Sequence, residues 1–185
     1  MLTENDRKVL LRVARGALEA LLGGEPLPRP AIESDALRAP CGAFVTLKNR
    51  GRLRGCIGIF ESRKPLWETV QQMAVAAMRD PRFLSNPVTE TELPDIDIEI
   101  SVLSPLQATK NPLEEIELGR HGISISSPYG SGCFLPQVAT ETGWSKEEFL
   151  SQCASMKAGL PADAWKWPDV TVYRFEAEVF GEKEI

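Results

Sequence analysis

From Ile96 to Leu103 the chain alternates without a break. Ile96, Ile98, Ile100 and Val102 fall on one side, and Asp97, Glu99 and Ser101 on the other. A period of two belongs to a strand, and an apolar face opposite a polar one makes it half-buried. This strand must lay one face on a core, so the remaining segments have to supply that core and the neighbouring strands.

Helical segments stand on both sides of it. Thr3 can cap a helix whose first turn holds Glu4 and Asp6. Val9, Leu10, Val13, Ala17, Leu18 and Leu21 then recur at helical spacing before Gly23-Gly24. Residues 25–40 contain four prolines and read as a linker. Ala43–Lys48 and Arg52–Phe60 are rich in strand formers around Asn49-Arg50-Gly51, the pattern of a hairpin. A helix is expected from Pro65 to Arg79, with Leu66, Val70, Met73 and Ala77 on one stripe and Asp80-Pro81 as its stop. Residues 81–95 read as loop. A short helix is expected from Asn111-Pro112, and a second hairpin from Gly122–Ser126 and Gly132–Leu135. Pro136–Thr142 reads as a short helix. Ser145-Lys146-Glu147-Glu148 is a capping box for a helix to Ala158. Val170–Phe180 closes the series as a strand, with Tyr173, Phe175, Ala177 and Val179 on one face. Helices and antiparallel strands without a βαβ rhythm indicate an α+β protein.

The chain has 185 residues, 43% of them hydrophobic, enough for one compact domain or two small lobes. A net charge of −5 argues against a general nucleic-acid binder. No stretch approaches the ~18 apolar residues that span a bilayer. The N-terminal residues lack an apolar signal core, so a cytoplasmic protein is expected. In that reducing compartment the four cysteines (Cys41, Cys56, Cys133 and Cys153) are expected as thiols. No C-x-x-C pair occurs and His121 is the only histidine, so no metal site and no cofactor is expected.

Strict alternation sorts the second hairpin strand into two faces: Leu53, Gly55, Ile57 and Ile59 on one, and Arg52, Arg54, Cys56, Gly58 and Phe60 on the other. Arg54 and Cys56 then lie side by side, about 7 Å apart by strand rise. A nearby guanidinium favours the thiolate, the nucleophilic form of cysteine. Gly55 and Gly58 leave the backbone open to a ligand or to close packing. Lys48, Arg50, Arg52, Arg54, Arg63 and Lys64 make this the most basic stretch, while eight acids and one base lie between Glu90 and Glu117. An anionic ligand near Cys56 follows. The bland alternative is a buried, inert cysteine on a hairpin with decorative arginines.

Leu53-Arg54-Gly55-Cys56-Ile57-Gly58 resembles the hallmark hexapeptide of the AMME chromosomal region protein family, known also as AmmeMemoRadiSam system protein A. The likeness continues in order through Asp80-Pro81-Arg82-Phe83, Glu92-Leu93-Pro94 and Ser101-Val102-Leu103-Ser104. Gly119-Arg120-His121-Gly122-Ile123, Phe134-Leu135-Pro136-Gln137-Val138-Ala139, Gly143-Trp144, Lys157-Ala158-Gly159-Leu160 and a closing Val179-Phe180-Gly181-Glu182 complete it. The resemblance covers about residues 40–182. It implies one domain over 1–185 built of two subdomains, each an antiparallel sheet with flanking helices. The larger would contain both termini, and the hexapeptide would face a cleft between them. It also implies a pathway shared with a Memo-type protein and a radical S-adenosylmethionine protein. It names no reaction.

His121 is the one ordinary candidate for a base near neutral pH, and a Cys56–His121 pair would resemble activated-thiol catalysis. Arg82 reads either as an anion contact or as part of a structural ion pair behind a helix stop. Asp97 and Glu99 read as an exposed strand face, and Trp144, Trp165 and Trp167 as packing. Two functions compete: an enzyme using Cys56 as nucleophile or redox thiol, and a non-catalytic module that binds a peptide or protein. Nucleic-acid binding through Lys48, Arg50, Arg52 and Arg54 is a third reading, disfavoured by the acidic balance.

Overall fold

The structure is a computed structural model that describes residues 2–184. Its chain forms two units. The first spans Met1–Leu103 and Glu178–Ile185, the second Ser104–Ala177.

The first unit begins with α1 (Glu4–Gly23), capped as its sequence implies: the Thr3 hydroxyl accepts from the Asp6 N–H, and the Asp6 carboxylate accepts from the Thr3 N–H. Gly24, at φ 69°, ends it in the left-handed conformation. Leu10, Ala14, Ala17 and Leu18 are fully buried, each leucine contributing about 2 kcal/mol by removal from water. The proline-rich linker contains one short helix, α2 (Asp35–Arg38), which seats Leu37 in the same core.

Strands β1 (Ala43–Asn49) and β2 (Arg52–Ile59) form the expected hairpin. Arg50 and Gly51 both take positive φ, 48° and 80°, so the turn has the tight, right-twisted form that joins two antiparallel strands. Helix α3 (Leu66–Met78) packs Leu66, Val70, Ala74 and Ala77 into the core shared with α1. Strand β3 is Ile96–Leu103, with Ile96, Ile98 and Ile100 buried as their alternation requires. β1 lies between β2 and β3, antiparallel to both, which leaves β2 with an outer edge unpaired by any strand.

The second unit has its own core of Ile123, Ile125, Phe134, Phe149, Leu150 and Trp165. Its elements are β4 (Gln107–Thr109), α4 (Pro112–Glu115), β5 (His121–Ser127), β6 (Gly130–Phe134), α5 (Pro136–Thr142) and α6 (Lys146–Gln152). Phe134 stacks on Phe149 at 5.6 Å, and the Trp165 indole N–H donates to Ser151 Oγ at 3.1 Å. Ser145 caps α6 as its sequence implies, but the helix widens into a π turn at Cys153–Lys157 instead of running on unchanged. β4, three residues long, is too short to show a period.

Strand β7 (Thr171–Gly181) belongs to both units. Its start pairs with β4 and β5, and at its end the Glu182 N–H donates to the Ile98 carbonyl. The expected face of Tyr173, Phe175, Ala177 and Val179 does not hold: Val172, Phe175 and Phe180 are buried and Val179 is exposed. A strand that serves two cores need not keep one phase, because each end answers to a different set of neighbours. No helix among the described residues is long and apolar enough to cross a membrane.

Candidate functional site

Cys56 sits mid-way along β2, opposite Thr46. The Thr46 hydroxyl donates to its sulfur at 3.2 Å, and the residue is half-buried. Its backbone turns away from β1 toward the open edge of the sheet, where an unpaired N–H and C=O invite another strand. Here both are occupied. The Cys56 N–H donates to Asp80 Oδ2 at 3.0 Å, and an Arg82 Nη2–H reaches the Cys56 carbonyl at 3.3 Å.

Asp80 follows the last turn of α3, and its side chain is only 1% exposed. It caps the 3₁₀ turn Pro81–Phe83 by accepting from the Arg82 N–H at 3.0 Å. It also takes the Arg82 guanidinium through Nη2 at 2.6 Å and Nε at 3.0 Å. Those bonds from Arg82, aided by the Cys56 N–H, outweigh burial and hold the Asp80 carboxyl far below the usual carboxylate range. The Arg82 guanidinium is correspondingly held more firmly protonated by Asp80. The structural ion pair foreseen for Arg82 is therefore present, and it also seals a sheet edge.

Arg54 departs from the expected alternation. In the ladder Gly55 faces Leu47 but Leu53 faces Lys48, so Arg54 is an extra residue without a partner in β1. Leu53 is thereby moved to the face of Lys48 and Cys56, opposite Gly55, and it is exposed. Arg54 itself, with a side chain 12% exposed, is clamped by Glu92 through Nε at 2.6 Å and Nη2 at 2.9 Å. Nη2 also donates to the Asn86 carbonyl at 3.0 Å. The Arg54 bonds hold the Glu92 carboxyl below its ordinary range. The guanidinium carbons of Arg54 and Arg82 lie 5.8 and 5.6 Å from the centre of the Phe83 ring.

The two glycines of the strand are spaces already filled. A Cβ at Gly55 would stand 2.0 Å from the Ala77 carbonyl oxygen, and one at Gly58 would stand 2.1 Å from the Phe44 ring. Helix and ring take the approach that a ligand was expected to use, so both glycines serve packing.

Beside Arg54 opens a pocket of about 790 Å³, lined by Arg50, Arg52, Arg54, Asn86, Glu92 and Asp95, with Asn49 at its margin. Arg50 makes an exposed pair with Asp95 at 3.1 Å. The Arg52 side chain has no ion-pair or hydrogen-bond partner among the described residues.

His121 belongs to the second unit and Cys56 to the first, and each has partners of its own. His121 opens β5 opposite Glu176. Its Nδ1 accepts from the Glu117 N–H at 3.0 Å. Burial first, and then the nearby Arg174, push its pKa down. Cys41 and Cys153 are also shifted, their thiols pushed up by burial. All four cysteines are unbridged. No group of three or more His, Cys, Asp or Glu able to hold a metal occurs among the described residues.

The sequence points to Cys56, Arg54 and Arg82 but not to Thr46, which meets Cys56, nor to Asn86 and Glu92, which meet Arg54. Thr46 was within reach of hairpin register, counting back from Arg50-Gly51. Glu92 was not, because a bulge in β2 and the long connection 79–95 separate its position from any local pattern.

The chain matches the AMMECR1 family model over residues 11–180. It is 43% identical over 188 residues to a protein of Methanothermobacter thermautotrophicus, an alignment covering 98% of this chain and 96% of that one. Protein MK0488 of Methanopyrus kandleri is 42% identical over 193 residues, with 99% and 91% covered. Among solved structures, the uncharacterized protein PH0010 of Pyrococcus horikoshii superposes with a TM-score of 0.84 at 38% identity, covering 95% of this chain and 90% of that one.

Proposed function

The chain belongs to the AMMECR1 family, and we propose that it is a binding module whose first unit holds a carboxylate-bearing segment of a protein partner. One observation carries this reading: Arg50, Arg52 and Arg54 line a single pocket, and Arg52 has no counter-ion among the described residues. Exposed Leu53 beside them offers apolar contact to the same segment. Arginine suits the task because its planar fork meets a carboxylate through two hydrogen bonds. Arg54 already does so with Glu92, which fixes one wall and leaves Arg52 and the exposed Arg50 to reach outward.

The Memo-type and radical S-adenosylmethionine proteins implied by the family resemblance are the partners to test. Co-expression and capture should retain one of them, and the charge-reversed pair Arg50→Glu/Arg52→Glu should lower its retention at least about tenfold, or 1.4 kcal/mol. Capture should also weaken with added salt, since these charges are exposed. Retention equal to the wild type by the doubly reversed variant would sink the reading.

A second reading, thiol chemistry at Cys56, has one observation in its favour: the half-buried sulfur accepts a hydrogen bond from Thr46 on the residue that Arg82 also contacts. Against it, the nearest carboxylate, Asp80, is committed to four donors and held ionised, so it is a poor proton carrier. Alkylation by iodoacetamide across pH, with Cys41 and Cys133 as internal references, separates the readings. A Cys56 no faster than a free thiol would end the catalytic one.

A further inference from the structure

We propose that the second unit carries a binding site of its own, a polar pocket under His121 that takes a small monocarboxylate. The pocket, of about 400 Å³, is lined by Ser104, Gln107, Arg120, His121, Arg174 and Glu176, with Phe175 beneath them. That volume lies within the range of pockets that hold small ligands.

The His121 side chain is only 5% exposed, yet half of its hydrogen-bonding capacity is unused. Its Nδ1 accepts from the Glu117 N–H, so the neutral ring carries its proton on Nε2. Glu176 Oε1 stands 3.9 Å from Nε2, beyond hydrogen-bonding distance, and Nε2 has no hydrogen-bond partner among the described residues. The Nε2–H therefore opens on the pocket, where the oxygen of a small ligand can accept it.

The surroundings say which oxygen. Arg174 lines the same pocket; its Nε is buried 3.9 Å from Glu115 Oε2 without a hydrogen bond, and an Nη1–H serves the Glu115 carbonyl at 3.3 Å. Arg120 lies at the rim, shared between Glu176 and Glu117. The Gln107 amide makes no hydrogen bond among the described residues, and Ser104 Oγ accepts from the Glu176 N–H. The lining side chains hold two guanidiniums and one carboxylate, and each guanidinium is also paired to a glutamate outside the lining, so the pocket tolerates at most one added negative charge. Glu115 and Glu117 stand behind those guanidiniums, and Glu176 shares the pocket, so a doubly charged phosphate would meet repulsion. A carboxylate fits: one oxygen on His121 Nε2–H and the other toward Arg174.

His121 is the only histidine, so its ring protons give one unambiguous NMR signal. The full chain is titrated with sodium acetate and sodium butyrate at constant ionic strength, with sodium chloride as the blank and sodium phosphate as the dianion arm. The proposal expects a saturable shift of the His121 signal with the carboxylates and none with chloride. It expects Arg174→Gln to weaken that binding at least tenfold, with the exposed Arg120→Gln as the second variant should the first fail to fold. Arg52→Glu, in the other unit, should leave the titration unchanged. A non-saturable shift, equal saturation by phosphate, or wild-type affinity in both arginine variants would each overturn it.

Discussion

Around Cys56 a buried carboxylate, Asp80, is met by four donors, whereas around His121 a buried ring turns a donor without a protein partner toward a pocket. Both regions mix arginine with acid, and both lie where a strand comes close to a loop. They differ in what is left over. In the first unit the charges against the strand are consumed: Asp80 and Arg82 close the sheet edge, and Glu92 locks Arg54 at the bulge. Only at the outer end of the hairpin does Arg52 stay unengaged. In the second unit, capacity is unspent at the buried position itself. A satisfied buried cluster stabilises one conformation, whereas a donor left open on a pocket is free to meet a ligand.

The sharpest test of this contrast is Asp80→Ala. It strips acceptors from the Cys56 N–H, the Arg82 N–H and the guanidinium at once, and should cost about 2–4 kcal/mol in chemical denaturation. A loss below 1 kcal/mol would show that this cluster is not the stabilising one. Arg54→Lys comes next. The fork on Glu92 becomes a single point contact, with an expected cost of about 1–2 kcal/mol. A neutral result would mean that Glu92 finds equal compensation from Asn49, which already donates to it at 2.9 Å.

Acid titration of stability should separate the regions by pH. His121 has a lowered pKa when folded, so the unfolded chain binds its proton more readily, and stability falls as pH drops below about 6.5. Asp80 and Glu92 also have lowered values, and their contribution, present at neutral pH, is lost only as pH falls below about 4. His121→Gln should remove the first decline and Asp80→Asn should reduce the second, leaving the share of Glu92, read from denaturation midpoints at successive pH values. One common transition, unmoved by either variant, would break the comparison. The smallest effect is expected from Arg120→Gln. Its side chain is 58% exposed and its pairs are solvent-screened, so the melting temperature should not move measurably while carboxylate binding weakens.

Much of this architecture was legible from residue order. The cap at Thr3, the alternation at Ile96–Leu103, the turn at Arg50-Gly51 and the capping box at Ser145 each gave the element they announce. In each case the cause is local: a side chain bonds a backbone group a few residues away, or a period matches one geometry. The site was legible in part. Cys56, Arg54 and Arg82 do gather about one strand, but the alternation that joined Arg54 to Cys56 fails at the bulge.

The sequence alone settled the longer helices and strands, though not α2 or β4, and that Cys56 would lie on a strand beside basic residues. Only the tertiary structure decided what those residues meet. Asp80 reaches Cys56 across 24 residues and Glu92 reaches Arg54 across 38. Such meetings depend on register, on one inserted residue and on how α3 lies against β2. Periodicity carries no information about them, because the energy of a contact depends on distance in space and not on separation along the chain.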